Sequence, residues 1–100
     1  MSRTYYTDYV RHALRFYSRN HKARPDFRND ADKQNWLSCD SVLSRLHGDT
    51  AQMLIEVYAG HDTLADEVYG ASKRWDMEQN RIWDYMKDIE QKIARRRGLL

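Results

Sequence analysis

Toward the end of the chain the apolar residues Ile82, Met86, Ile89 and Ile93 recur at steps of four, three and four, which places them on one stripe of an α-helix. The stripe predicts a helix from about Glu78 to Arg97. Ahead of it, Leu64 to Arg74 reads as a shorter helix, with Asp62 or Thr63 able to accept from its first free amides and Asp66 in its first turn. Trp75-Asp76-Met77 separates the two, and Asp76 can cap the second in the same way. Helix, tight turn, helix is the helix-turn-helix pattern. Ala71 and Ser72 are small where the helices would cross, and Trp75, Met77 and Ile82 supply apolar contacts around the turn. The glycine that such a turn favours is missing. Asp76 stands there instead, and its Cβ makes a left-handed backbone less favourable.

The rest of the chain follows the same rhythm. From roughly Thr4 to Arg19 a helix turns Tyr6, Val10, Ala13, Leu14 and Tyr17 to a core, with Tyr5, Tyr9 and Phe16 widening the apolar face. Asp8, Arg11, Arg15, Arg19 and Lys22 line its other side at helical steps, as a solvated face or as a grip on phosphates. Asn20 to Asn29 holds the only proline and reads as a loop anchored by Phe27. Asp30 to Leu46 predicts a helix with Trp36, Cys39, Val42, Leu43 and Leu46 on one face, stopped at His47-Gly48-Asp49 by a left-handed glycine. Thr50 to Tyr58 predicts a third, with Met53, Leu54, Val57 and Tyr58 inward and Ala59-Gly60-His61 closing it. The expected fold is all-α, with about five helices and almost no alternation long enough for a strand.

Composition sets the scale. One hundred residues with 41% hydrophobic content, including three Trp and seven Tyr, suit one helical domain over 1–100, with a helical pair at 1–46 and the helix-turn-helix part at 50–97. No apolar run approaches membrane-spanning length and no signal-peptide pattern opens the chain, which predicts a cytoplasmic protein with no membrane partner. The net charge of +2 conceals three blocks: +5 over residues 1–28, −6 over 29–72 and +3 over 73–100. Such blocks either present opposite faces to partners or neutralise one another inside the fold.

Candidate chemistry narrows the classes further. The single Cys39 has no disulfide partner and sits among apolar helical positions, as a small core residue does. His12, His21, His47 and His61 are dispersed, with no pair at ligand spacing, so no metal or cofactor is expected. The four glycines form no phosphate loop. Asp62, Asp66 and Glu67 are explained as helix-start residues, and no nucleophile has a base and an orienting group beside it, so the chain does not read as an enzyme.

The run Met53-Leu54-Ile55-Glu56-Val57-Tyr58, then Val68-Tyr69-Gly70-Ala71-Ser72-Lys73, Ile82-Trp83 and the tail Lys92-Ile93-Ala94-Arg95-Arg96-Arg97 carries a resemblance. The segment from about Cys39 to Arg97 resembles region 4 of bacterial sigma factors and the stand-alone phage and mobile-element activators of the ArpU and RinA type. Residues 1–38 lie outside it. The resemblance implies a transcription regulator whose last long helix meets double-stranded DNA, with RNA polymerase or another host protein as a further partner and a homodimer as a common state. It implies base contacts from Gln79, Asn80, Arg81 and Trp83, Gln and Asn matching the paired donor and acceptor of adenine. Lys73, Arg74, Lys87, Lys92, Arg95, Arg96 and Arg97 would then hold phosphates, making binding strongly salt-dependent.

One feature runs the other way. Glu78, Asp84, Asp88 and Glu90 put acids on that same helix, where each would face a phosphate-rich groove unless paired, as Asp84 with Lys87 or Asp88 with Lys92. Together with the acidic middle block of Asp30, Asp32, Asp40, Asp49, Glu56, Asp62, Asp66 and Glu67, they motivate a second expectation. In it the chain is an accessory protein that docks on RNA polymerase or a defence nuclease through an acidic surface.

Overall fold

The computed structural model describes residues 5–100, and within them the chain is all-helical with no strand. Its helices are α1 (Thr7–Arg19), α2 (Asp30–Leu43), α3 (Gly48–Ala59), α4 (Leu64–Arg74) and α5 (Gln79–Arg96). α4 has the bounds its sequence predicts, and α5 is one residue shorter at each end. Thr4, where the first helix was expected to begin, lies outside the described residues.

The junction of α2 and α3 differs most from expectation. α2 ends three residues early, at Leu43, and the chain tightens into a turn in which the Arg45 amide reaches the Val42 carbonyl and the Leu46 amide the Leu43 carbonyl. Gly48 is not the left-handed stop of α2 but the first residue of α3, with His47 as the cap whose Nδ1 accepts from the Asp49 amide at 3.3 Å. Gly98 is the glycine with a positive φ among the described residues, at 72°. A tight helical turn already satisfies the last carbonyls of α2, so a left-handed residue is not required.

Thr63 caps α4, its Oγ1 accepting from the Asp66 amide at 3.2 Å. The expected Asp76 cap is absent: α5 starts after Glu78, and no side chain bonds its first amides. Asp76 serves the turn differently. Its φ of 50° is the one positive value at a non-glycine residue among those described, so it takes the left-handed position that a tight turn between helices was expected to give to glycine.

A single hydrophobic core joins all five helices. α5 packs against α1, α2 and α4, and α1 in turn packs against α2 and α3. Ile82, Met86, Ile89 and Ile93 are fully buried, as the stripe requires. Burial of each side chain of this size is worth about 1.5–3 kcal/mol. On α1 the five residues expected inward are buried, whereas Tyr5 is exposed and its hydroxyl donates to the Leu99 carbonyl. Phe27 anchors the long loop by packing edge-on against Trp36, ring centres 6.1 Å apart. Cys39 is a buried core residue; burial first, and then the charge of Asp40, pushes its thiol up to about 12.

Candidate nucleic-acid interface

The site is built on α4, the turn and α5. The Trp75 amide bonds back to the Ala71 carbonyl at 2.9 Å and the Met77 amide to the Ser72 carbonyl at 3.1 Å, which closes the turn. Glu56 of α3 fastens it from beneath: its Oε2 accepts from Trp75 Nε1 at 2.8 Å and lies 3.7 Å from Arg74 Nε. This part of the acidic middle block is therefore neutralised inside the fold.

Gln79, Asn80 and Arg81 are exposed together on the first turn of α5. Gln79 and Asn80 share an open cleft with Ser72 and Lys73, while the Arg81 guanidinium lies 5.9 Å from the Tyr85 ring centre. Lys73 is exposed over the Tyr69 ring at 5.2 Å, and Arg74 is exposed beside it. Lys87 is exposed further along the helix. The first five of these residues lie at one end of the helix pair, and Lys87 lies midway along α5.

The other expected contacts lie elsewhere. Trp83 is half-buried and faces α1, with the Arg11 guanidinium 5.9 Å from its ring centre. Lys92 pairs with Asp88 at 2.9 Å, the spacing of four expected for that pair. Arg95 and Arg96 are exposed in the last turn, roughly 22 Å along the axis from Asn80 at 1.5 Å per residue. Arg97 is half-buried, and its Nε donates to Asn35 Oδ1 at 2.6 Å. Asn35 also exchanges hydrogen bonds with the Tyr9 hydroxyl, which holds Tyr9 below its usual range, with Arg97 adding to the effect.

Glu90 is buried, not presented to a groove. Its Oε2 accepts from the Tyr58 hydroxyl at 2.6 Å and from Arg11 Nε at 2.9 Å, so one carboxylate ties α5 to α3 and α1. Arg15 and Arg19 are likewise engaged. Arg15 Nη1 donates to the Gly60 carbonyl at 2.7 Å and Arg19 Nη2 to the same oxygen at 3.0 Å, which satisfies the end of α3. Of the row expected either to face solvent or to grip phosphates, Arg11, Arg15 and Arg19 form a brace, whereas Asp8 and Lys22 are exposed. Two signals in the chain mark these roles: Glu90 falls in phase with Ile82 and Met86, and Arg11, Arg15 and Arg19 repeat every four residues.

Comparison with known proteins finds no matching family model, no matching curated protein and no matching solved structure. The exposed first turn of α5 is thus judged on its own geometry. Among the described residues no three of His, Cys, Asp and Glu gather as a metal site, and no helix is long and apolar enough to cross a membrane.

Proposed function

We propose that the protein binds double-stranded DNA through α4, the turn and α5, as a transcription regulator. The observation that carries this reading is the joint exposure of Gln79, Asn80 and Arg81 on the first turn of an 18-residue helix that follows a tight turn. Side chains there reach base edges when such a helix enters the major groove. Lys73 and Arg74 flank that turn and Lys87 lies two turns along it, positioned for the backbone on either side. Asp88 is neutralised by Lys92, which removes one repulsive charge from the groove face.

The test is fluorescence anisotropy of the protein with mixed-sequence duplex DNA at several salt concentrations. Micromolar or tighter binding that falls steeply with salt is expected, with Asn80→Ala changing sequence preference and Lys73→Ala weakening all sequences alike. Absence of binding at low salt sinks the reading.

A second reading is favoured by Glu78, which stands at the N-cap of α5, and Asp84 within it, both exposed and with no ion pair to a described residue. In it this face docks on a basic patch of another protein, such as RNA polymerase or a nuclease. Glu78→Lys with Asp84→Lys would then abolish partner binding, whereas on the first reading the same change tightens duplex binding.

A further inference from the structure

Most of the described arginine side chains have a partner within the fold. They engage the Glu90 or Glu56 carboxylate, the carbonyls closing α3, the Asn35 amide, or an aromatic ring. Arg28, Arg45, Arg95 and Arg96 are the exceptions among the described residues, their side chains making no hydrogen bond, ion pair or ring contact. Three of these four line one cleft. It lies where α2 and α5 end side by side, encloses about 390 Å³, and is formed by Val42, Arg45, Leu46, Lys92, Arg95 and Arg96. No acid lines it.

The local fold explains the gathering. α2 and α5 pack against each other, and the tight turn after Leu43 brings Arg45 and Leu46 alongside the last turns of α5. Arg95 and Arg96 complement the negative end of the α5 dipole, which accounts for cations in that turn. It does not account for Arg45, which belongs to another element, or for the apolar floor of buried Val42 and half-buried Leu46.

We propose that this cleft docks an acidic peptide segment of a partner protein, one that places an apolar side chain on Val42 and Leu46 and carboxylates against Arg45, Arg95 and Arg96. Charge complementarity selects the acidic character, and the guanidinium fork suits carboxylates held in pairs. The floor selects a peptide over a nucleic-acid backbone, because a phosphodiester chain presents charge but no side chain to bury there. The inference is independent of the DNA reading, which uses the opposite end of α5.

The probe is a fluorescein-labelled peptide in which glutamates flank two leucines and a phenylalanine, compared by anisotropy with a glutamate-only peptide of equal length and with duplex DNA. Micromolar binding of the apolar peptide is expected, with the glutamate-only peptide at least about ten-fold weaker. Arg45→Gln with Arg95→Gln should weaken the apolar peptide at least about ten-fold while leaving the melting temperature within a few degrees and any duplex affinity within about two-fold. Both side chains are exposed and Gln is a good helix former, so the substitutions disturb no packing. Leu46→Gln should weaken the apolar peptide and not the glutamate-only one. Equal binding of the two peptides, or none at low salt, overturns the proposal. So does loss of duplex binding in the arginine variant with the peptide unaffected, which assigns the cleft to phosphates. A wild-type protein that binds the apolar peptide but no duplex overturns the DNA reading and leaves this one standing.

Discussion

At the scale of single residues, Glu90 carries the most consequence. A buried carboxylate is tolerated because two donors from different helices meet it, and removing either leaves charge without a partner. Tyr58→Phe should therefore cost about 1–2 kcal/mol. Glu90→Gln, which keeps the shape but removes the charge that Arg11 meets, should cost about 2–3 kcal/mol, and thermal melts check both. A melt unchanged by either substitution would show that the three-helix tie is dispensable. The same buried groups set the alkaline limit of stability. Cys39 rises from 9.0 to about 12 on folding, chiefly by burial, and burial followed by the Glu90 charge lifts Tyr58 well above 10.0. The folded chain holds these protons where the unfolded chain releases them, so stability is complete below pH 9 and declines as pH rises toward 12. Denaturant titrations between those values should show the decline, and Cys39→Ala should make it shallower. Placing Glu90 in the apolar phase of α5 was possible from its spacing; knowing that Arg11 and Tyr58 would meet it was not, since they lie 79 and 32 residues away.

At the scale of elements, the punctuation of the chain explains both the agreements and the departures. Thr63 and the Ile82 stripe define α4 and α5 because capping and amphipathic spacing act within a few residues. Gly48 misleads because glycine is commonest just past a helix end yet is tolerated in a first turn, and here His47 caps a helix that begins with it. Asp76 resolves the missing glycine by adopting the left-handed conformation itself, as aspartate does more readily than most residues. Asp76→Gly should accordingly stabilise the domain by about 0.5 kcal/mol or more, and Asp76→Val should destabilise it by about 1 kcal/mol or more. For about 100 residues each 1 kcal/mol moves the melting temperature by about 4–8 °C, which calorimetry resolves. Ile82→Asp, which buries an unpaired charge in the same helix, should leave no cooperative melt at all.

At the scale of the whole molecule, two ion pairs among the described residues link the charge blocks, Arg11 with Glu90 and Arg74 with Glu56. The basic amino-terminal block supplies Arg11 to Glu90 of the carboxy-terminal block, and Arg15 and Arg19 to the carbonyls that close α3 in the acidic block. Arg15→Met, which retains packing but not the donors, should lower the melting temperature and leave the salt dependence of duplex binding unchanged. Lys73→Ala with Arg74→Ala should do the reverse, reducing the slope of log affinity against log salt by about 1–2 with a small stability change. A slope altered by Arg15→Met would place α1 on the DNA. Periodicity, caps and composition were enough to read five helices, an all-α fold and most of the core from the chain, because those depend on neighbours three or four residues apart. Which cations stay free depends instead on what each meets across the fold. Only packing could separate Arg11, Arg15, Arg19 and Arg97, whose side chains meet partners across the fold, from Arg45, Arg95 and Arg96, left without one around a single cleft.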